Sequence, residues 1–357
     1  MKIRNIKSLS KDELAAWLIG HGQPAFRRAQ IYDWLYRKWV TAFDDMRNIP
    51  TSLHNELATR FSAFSIIPID RQTAQDGATK FLLKLSDANT IETVILHAAD
   101  RYTVCISTQV GCPVQCAFCA SGRHGLVRNL EPGEIVDQVI FACRHLGVRI
   151  SNVVVMGMGE PLLNLHNTIA ALDALCDPER MAMSARRITI STSGIPDGIR
   201  ALADHGVPWN LALSLHAVTD KKRAAIIPAV WCSPLSTVLK ACEYYKQTTG
   251  RVVTLEYTLI PGKNDYPEDC RGLASIATTL HAKVNVIPLS ATGAHFRVPS
   301  QKQIRDFVHE LQRQGAPVTI RESKGASIEA ACGQLRSRDK PAGGDSEATA
   351  TSGTESL

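Results

Sequence analysis

The chain has few of the features that mark secreted, membrane-spanning or disordered proteins. It holds 10 cysteines among 357 residues, too few for a scaffold held together by disulfide bonds. It contains no run of about 18 consecutive apolar residues, the length of a membrane-spanning helix, and its first twenty residues lack the apolar core of a signal peptide. These absences predict a cytoplasmic protein without export and without a membrane segment.

Several common catalytic signatures are also missing. The sequence has no Walker A loop, no HExxH pair and no GxSxG elbow. The segment that begins at Gly157 is not a dinucleotide fingerprint, because Leu162 stands where the last glycine of GxGxxG would be. The sequence therefore does not support a function as a phosphotransferase, a zinc protease or a serine hydrolase.

Apolar residues and an uneven positive charge are what the chain does have. Apolar residues make up 45% of the sequence, enough for a packed core, and the length fits about two domains. The net charge is +6, and residues 1–75 hold 11 Lys and Arg against 7 Asp and Glu. Because most of the positive surplus lies in this first fifth, we expect a polyanionic partner there.

The pattern of residues 1–75 predicts a small helical accessory domain. Glycine and proline separate three helical segments, at 10–20, 27–40 and 52–58. Residues 76–101 predict a β-rich connection that leads into the next domain.

Residues 102–335 alternate β-branched segments with amphipathic helical segments, the pattern of parallel strands joined by crossover helices. The six predicted strands lie at 102–108, 152–157, 187–193, 209–215, 252–258 and 283–288. Six units predict an α/β fold, a partial (β/α)6 barrel, with chemistry at the carboxyl ends of its strands. Residues 336–357, rich in Ser, Thr and Gly, predict a disordered tail.

Three thiols follow the first barrel strand in a CxxxCxxC motif, at Cys112, Cys116 and Cys119. Thiolates are soft ligands that suit zinc or an iron-sulfur cluster. A structural zinc site needs a fourth ligand, for which His124 is the nearby candidate. An iron-sulfur cluster with one open iron is the sharper hypothesis, and a zinc site is the alternative.

This motif, with Phe118 before its last thiol, resembles the radical S-adenosylmethionine (radical SAM) superfamily. The segment Gly157–Pro161 (GMGEP) resembles the GGEP-type motif of that superfamily. Further segments resemble the RlmN/Cfr family of RNA adenine methyltransferases, and RlmN more than Cfr; they lie at 92–94, 105–119, 156–164 and 331–335. The likeness extends over about residues 5–335.

The resemblance implies a radical SAM barrel that carries a [4Fe-4S] cluster on the three thiols and binds S-adenosylmethionine. Carried over position by position, the contacts to S-adenosylmethionine would be Gly159, Glu160, Ser191, Ser214, Leu215, His216 and Asn285. A flavodoxin-type electron donor and a monomeric enzyme are also implied.

The implied activity is methylation of C2 of the peptidyl-transferase-loop adenine of 23S rRNA, and of a tRNA adenine beside the anticodon. The match makes Cys332 the S-methyl carrier, Cys105 the thiol that forms a transient disulfide with it, and Glu92 the proton acceptor. Residues 289–296 depart from the family pattern, so C8 methylation is the alternative regiochemistry. A zinc-stabilised RNA-binding protein without catalysis is the alternative from another class.

Basic and aromatic side chains alternate in the second helical segment, a mixture that can grip phosphates and stack on bases. These residues are Phe26, Arg27, Arg28, Tyr32, Trp34, Tyr36, Arg37, Lys38 and Trp39. An ordinary helix with its aromatics in the core explains the same pattern. A target adenine would have to be exposed or flipped to reach the barrel.

Overall fold

The structure is a computed structural model that describes residues 3–228, 233–291, 296–321 and 324–335. The predicted disordered tail, 336–357, lies outside the described residues. Among those described, no helix combines the length and the apolar character that a membrane span requires.

The N-terminal region is helical up to Arg60. Its elements are β1 (Arg4–Asn5), α1 (Lys11–Gly20), α2 (Phe26–Tyr32), α3 (Thr51–Arg60) and β2 (Phe61–Ser62). Helix α1 begins directly after Ser10, because the Ser10 side chain and Glu13 form a capping box that satisfies two free N–H groups at the start of the helix.

The second predicted helix, 27–40, is shorter than expected. Helix α2 ends at Tyr32 and continues as a π-helical turn over Asp33–Arg37. The chain then turns sharply at Trp39, which has a positive φ of 56°. A helical pattern of apolar residues does not distinguish an α-helix from a π turn, because both bury similar positions.

One ten-stranded sheet dominates the rest of the molecule, with a two-stranded hairpin beside it. The strands are β3 (Ile66–Thr73), β4 (Thr79–Leu85), β5 (Thr90–Ala98), β6 (Arg101–Cys105), β7 (Gln109–Gly111), β8 (Leu126–Asn129), β9 (Asn152–Val155), β10 (Ile188–Thr192), β11 (Asn210–Ser214), β12 (Thr254–Leu259), β13 (Lys283–Pro288) and β14 (Val318–Ile320). From edge to edge the sheet runs β14, β13, β12, β11, β10, β9, β6, β5, β4, β3.

The barrel part of this sheet is parallel and carries helices between its strands, as predicted. Neighbours from β6 through β14 pair in parallel. The helices are α4 (Pro132–Leu146), α5 (Leu165–Cys176), α6 (Pro196–Asp204), α7 (Asp220–Ala224), α8 (Leu235–Thr249), α9 (Pro267–Leu280) and α10 (Gln301–Arg313). The prediction of an α/β partial barrel is confirmed.

Alternation along the strands decides what faces the barrel interior. In β10, Ile188 and Ile190 belong to the main hydrophobic core, whereas Ser191 lines an interior cavity. Successive side chains of a strand point to opposite faces. Polar residues at alternate positions are therefore placed inside the barrel at its carboxyl end.

The boundary between the helical region and the sheet lies earlier than predicted. Strand β3 falls inside the segment 1–75, which was predicted to be helical, and pairs antiparallel with β4. It escaped prediction because it is an edge strand with polar residues at 70–72 and a register shift after Pro68. Edge strands do not need the apolar alternation of a buried strand.

Candidate active site

A hairpin that the sequence analysis did not predict frames the three thiols. Strand β7 pairs antiparallel with β8, and the intervening loop carries the CxxxCxxC motif. The Cys112 N–H donates to Gly125 O at 2.9 Å, which closes the loop at its base. A Cβ at Gly111 would lie 2.1 Å from that same oxygen, so only glycine permits the closure.

All three thiols line one cavity of about 140 Å³, termed the cluster cavity. Burial raises the pKa of Cys112 to about 12 and also raises the pKa of Cys116 and of Cys119. Three thiols of one loop that line the same cavity are a soft donor set that suits an iron-sulfur cluster.

The GMGEP turn packs against the end of β6 and the start of β7. A Cβ at Gly157 would lie 2.7 Å from the backbone of Ile106, and one at Gly159 would lie 2.6 Å from Gln109 Cβ. Gly159 also has a φ of +104°. The Gln109 side chain accepts the Glu160 N–H at 2.8 Å. Both glycines are therefore required by close contact.

The Glu160 carboxylate joins the ends of β9 and β10. It accepts hydrogen bonds from Thr192 Oγ1 at 2.8 Å, from the Ser193 N–H at 2.7 Å and from the Leu162 N–H at 3.1 Å. Burial raises its pKa, and these hydrogen bonds oppose that shift. Thr192 and Ser193 also line the cluster cavity, and the sequence analysis had not selected them.

Most of the predicted S-adenosylmethionine contacts surround the same cavity. Its lining includes Gly159, Glu160, Ser191, Ser214 and His216. The chain therefore brings the thiols and these strand-end residues together around one cavity.

Two of the predicted contacts to S-adenosylmethionine, Leu215 and Asn285, do not line the cluster cavity. Leu215 is fully buried, and its N–H donates to Glu256 O at 3.0 Å. Asn285 Nδ2 donates to Glu256 Oε1 at 3.1 Å, and Glu256 itself lines the cavity. Asn285 thus reaches the cavity through Glu256, a residue that the sequence analysis missed.

His216 forms a fixed and neutral part of the wall. Its Nδ1 accepts the Thr258 N–H at 3.0 Å, and its ring meets Phe118 edge-on at 4.9 Å. Burial lowers the pKa of His216 to about 3, with a further contribution from Arg223. The ring therefore stays uncharged at neutral pH.

A second cavity of about 360 Å³, termed the Cys105 cavity, adjoins the first. Cys105 lines it, whereas Cys332, Arg321 and Met156 line both cavities. Burial raises the pKa of Cys105 to about 12; Cys332 adds to this shift and Arg321 opposes it. Cys332 thus stands between the thiols of the cluster loop and Cys105.

Cys105 and Cys332 are separate free thiols in this structure. The same holds for every cysteine among the described residues, so the disulfide implied by the resemblance is not present in this state. A transient disulfide during turnover stays a prediction.

Cys332 belongs to a C-terminal segment, 324–335, that packs on the cluster loop. The Ala120 N–H donates to Gly333 O at 2.7 Å, and Ser121 Oγ donates to Leu335 O. Gln334 Nε2 donates to Ala291 O at 2.8 Å. These bonds hold an exposed cysteine at the mouth of the cluster cavity.

Arg321 is a second residue that the sequence analysis missed. Its Nη1 lies 3.7 Å from Glu256 Oε2 and 3.2 Å from Met156 Sδ. Cys332 raises the pKa of Arg321 most, and Glu256 and Cys105 raise it further. Its position directly after the last strand could have indicated a site residue, because the other site residues also follow strands.

Glu92 lies on β5 and is almost fully buried. Its Oε1 lies 3.2 Å from Lys80 Nζ. Glu92 shares a face of the strand with Val94, which lines the Cys105 cavity and pairs with Cys105 in the β5–β6 register. The register therefore places Glu92 on the same side of the sheet as Cys105.

The predicted basic and aromatic surface is partly internal. Tyr32 and Tyr36 are buried in the core, so they are not available to stack on bases. Arg28 pairs with Glu179 at 3.2 Å, and Arg37 donates to Pro178 O at 3.0 Å. Phe26 is 56% exposed. The contacts of Arg28 and Arg37 join the helical region to the barrel.

Gly159→Ala tests the tight turn. We expect it to lower the free energy of unfolding by the backbone cost of a positive φ plus about 1–3 kcal/mol of overpacking against Gln109. The matched control is Gly206→Ala, where φ is +80° but nothing lies within 4 Å of the new Cβ. Urea unfolding compares the two variants; equal losses would contradict the packing argument.

Comparisons with known proteins agree with this geometry. A model of the radical SAM superfamily matches residues 106–272, and one described as the ribosomal RNA large subunit methyltransferase N-terminal domain matches residues 4–62. Proteins named probable dual-specificity RNA methyltransferase RlmN are similar over nearly their whole length. The Thermotoga petrophila protein is 44% identical, covering 94% of this chain and 98% of the relative; the Geobacillus kaustophilus protein is 42% identical, covering 94% and 93%.

A solved structure gives the same result in three dimensions. It is the crystal structure of a radical SAM methyltransferase from Sphaerobacter thermophilus, 41% identical to this chain, with a TM-score of 0.90. The match covers 93% of this chain and 99% of that one. From its sequence and its fold, this chain belongs to the RlmN family of radical SAM methyltransferases.

Proposed function

We propose that this protein methylates C2 of adenine in RNA: the peptidyl-transferase-loop adenine of 23S rRNA and a tRNA adenine beside the anticodon. The observation that carries the proposal is the position of Cys332 between the cluster cavity and the Cys105 cavity. A methyl carrier must meet the methyl donor on one side and the residues that release the product on the other. RNA is the substrate named in the relatives' description.

The loop thiols Cys112, Cys116 and Cys119 would hold a [4Fe-4S] cluster, and Glu160 with the strand ends would hold S-adenosylmethionine. When bound, these groups supply the methyl group that loads Cys332 and the one-electron chemistry that joins its carbon to the adenine ring. Adenine C2 is not nucleophilic, so direct polar methyl transfer has no route. The protein's task is to hold Cys332 in place and to release the product.

Release is carried out by side chains of this chain. Glu92 accepts the proton from the substituted ring carbon, the odd electron left by the one-electron addition would return to the cluster, and the ring regains its aromaticity. The Cys105 thiolate attacks the Cys332 sulfur. A disulfide forms, the carbon–sulfur bond breaks, and its electron pair goes to the methylene carbon, which takes a proton and becomes the methyl group. An external dithiol then reduces the disulfide.

Nucleoside analysis tests the proposal directly. A host that lacks its own enzyme is grown with and without expression of this chain. Its RNA is digested to nucleosides, and the methyladenosine isomer is identified by mass spectrometry. We expect 2-methyladenosine in both 23S rRNA and tRNA. An 8-methyl isomer would show C8 chemistry, and no methyladenosine from a cluster-loaded protein would contradict the proposal.

Metal analysis separates the enzyme from a zinc-stabilised binding protein. We expect about four irons and four sulfides per chain after anaerobic reconstitution, and their loss in Cys116→Ala. The control is Cys176→Ala, a cysteine at the end of α5. One zinc without sulfide would support the binding protein instead. The electron donor is expected to be of the flavodoxin class, and the enzyme monomeric.

A further inference from the structure

Lys80 is a buried cation beside the proposed base. It lies on β4, is only 3% exposed and has its Nζ 3.2 Å from Glu92 Oε1. The same Nζ donates to Glu329 O at 3.1 Å. One ammonium group therefore contacts both Glu92 and the C-terminal segment that carries Cys332.

The sheet register fixes this arrangement. Across β4 and β5, Lys80 pairs with Val94 and Leu82 pairs with Glu92. Residues two apart on a strand share a face, so Lys80, Glu92 and Val94 lie on the side of the sheet that meets the Cys105 cavity. Burying an ion pair is seldom favourable for stability alone. Its position next to the cavity suggests a use in the reaction.

We propose that Lys80 is a positioning residue: through its ion pair it orients the Glu92 carboxylate, and it links that carboxylate to the segment that presents Cys332. This inference rests on the proposed function, in which Glu92 takes the ring proton. Three donors on a flexible stem let one lysine serve both the carboxylate and a backbone carbonyl.

A purely structural anchor is the competing explanation. The chain offers a control, because Asp76, in the turn between β3 and β4, holds the same segment. Its Oδ2 accepts the Gly325 N–H at 2.7 Å. Asp76→Ala loosens the segment without removing the contact at Glu92. A residue that only anchors the segment would behave like Asp76.

The test uses the full chain, loaded anaerobically with its cluster, and three readouts: methyl loading of Cys332, covalent protein–RNA adduct, and methyladenosine. For Lys80→Met we expect a loss of loading no greater than that of Asp76→Ala, accumulated adduct, and methyladenosine reduced at least about tenfold, a fraction of what a catalytic base contributes. Lys80→Arg restores most of the product. Asp76→Ala lowers loading and product together, without extra adduct.

The inference is overturned if Lys80→Met retains full methyladenosine, or if its loading falls in the same proportion as its product. If Lys80→Met does not fold, the comparison moves to Glu92→Gln and the double variant Glu92→Gln/Lys80→Met, in which neither side chain of the buried pair carries a charge. Equal amounts of adduct in the single and the double variant support the action of Lys80 through Glu92. A smaller amount of adduct in the double variant refutes it. Absence of methyladenosine from the unmodified protein would instead contradict the proposed function.

Discussion

Cys332→Ala is expected to abolish adenine methylation, with a loss of at least about a thousandfold, the scale on which removal of a covalent nucleophile acts. Cys332 lines both cavities, and no other cysteine among the described residues does so. Without it, the methyl group has no carrier to the ring. Mass spectrometry of nucleosides and of the intact protein measures both the missing product and the missing methyl on the chain.

The same variant should keep its cluster, because Cys332 lies outside the loop that holds the three thiols. Iron and sulfide content therefore serve as the internal control, and Cys176→Ala controls for the loss of a cysteine elsewhere. Methyladenosine at the unmodified level from Cys332→Ala would refute the carrier role.

Cys105→Ala is expected to trap the product on the enzyme. The variant still loads Cys332 and attaches it to RNA, but no thiolate is available to break the carbon–sulfur bond. We expect a covalent protein–RNA species that resists denaturation, and methyladenosine reduced at least about a hundredfold. A denaturing gel with labelled RNA detects the species, and treatment with ribonuclease removes it.

The double variant Cys105→Ala/Cys332→Ala should give no such species. An adduct in the double variant would place the attachment on another residue. Free methyladenosine from Cys105→Ala at the unmodified rate would show that release does not use this thiol.

Release by the unmodified enzyme should also depend on pH. Burial raises the pKa of Cys105 to about 12, so the thiol is neutral at pH 7 and its thiolate fraction grows about tenfold per pH unit below that value. The decay of preformed adduct should therefore accelerate from about pH 7 to 9. Arg321 opposes the raised pKa, so Arg321→Met should slow release. A flat profile would contradict a thiolate attack.

The sequence predicted correctly those features that depend on residues close together in the chain. Alternating β-branched and amphipathic segments predicted the six barrel strands and their crossover helices, because periods of two and 3.6 residues follow from backbone geometry. Cys112, Cys116 and Cys119 were recognised for a similar reason. Eight residues suffice to place three thiols on one loop.

Elements without a local pattern were missed. Strand β3 is polar at the sheet edge, and the β7–β8 hairpin is held by pairing across residues 109–129. Arg321 and Lys80 carry no motif of their own. Their roles depend on contacts with residues distant in the sequence. The periodicity of apolar residues gives no information about such contacts.

The sequence by itself determined the α/β barrel, the thiol loop and, through the resemblance, the family. Only the tertiary structure decided that Cys332 stands between two cavities, that Arg321 joins them, and that Lys80 contacts both Glu92 and the C-terminal segment. The reason is physical: local patterns arise from the geometry of one helix or strand. Contacts between residues as far apart as 80 and 329 depend on strand register and on the packing of the whole sheet.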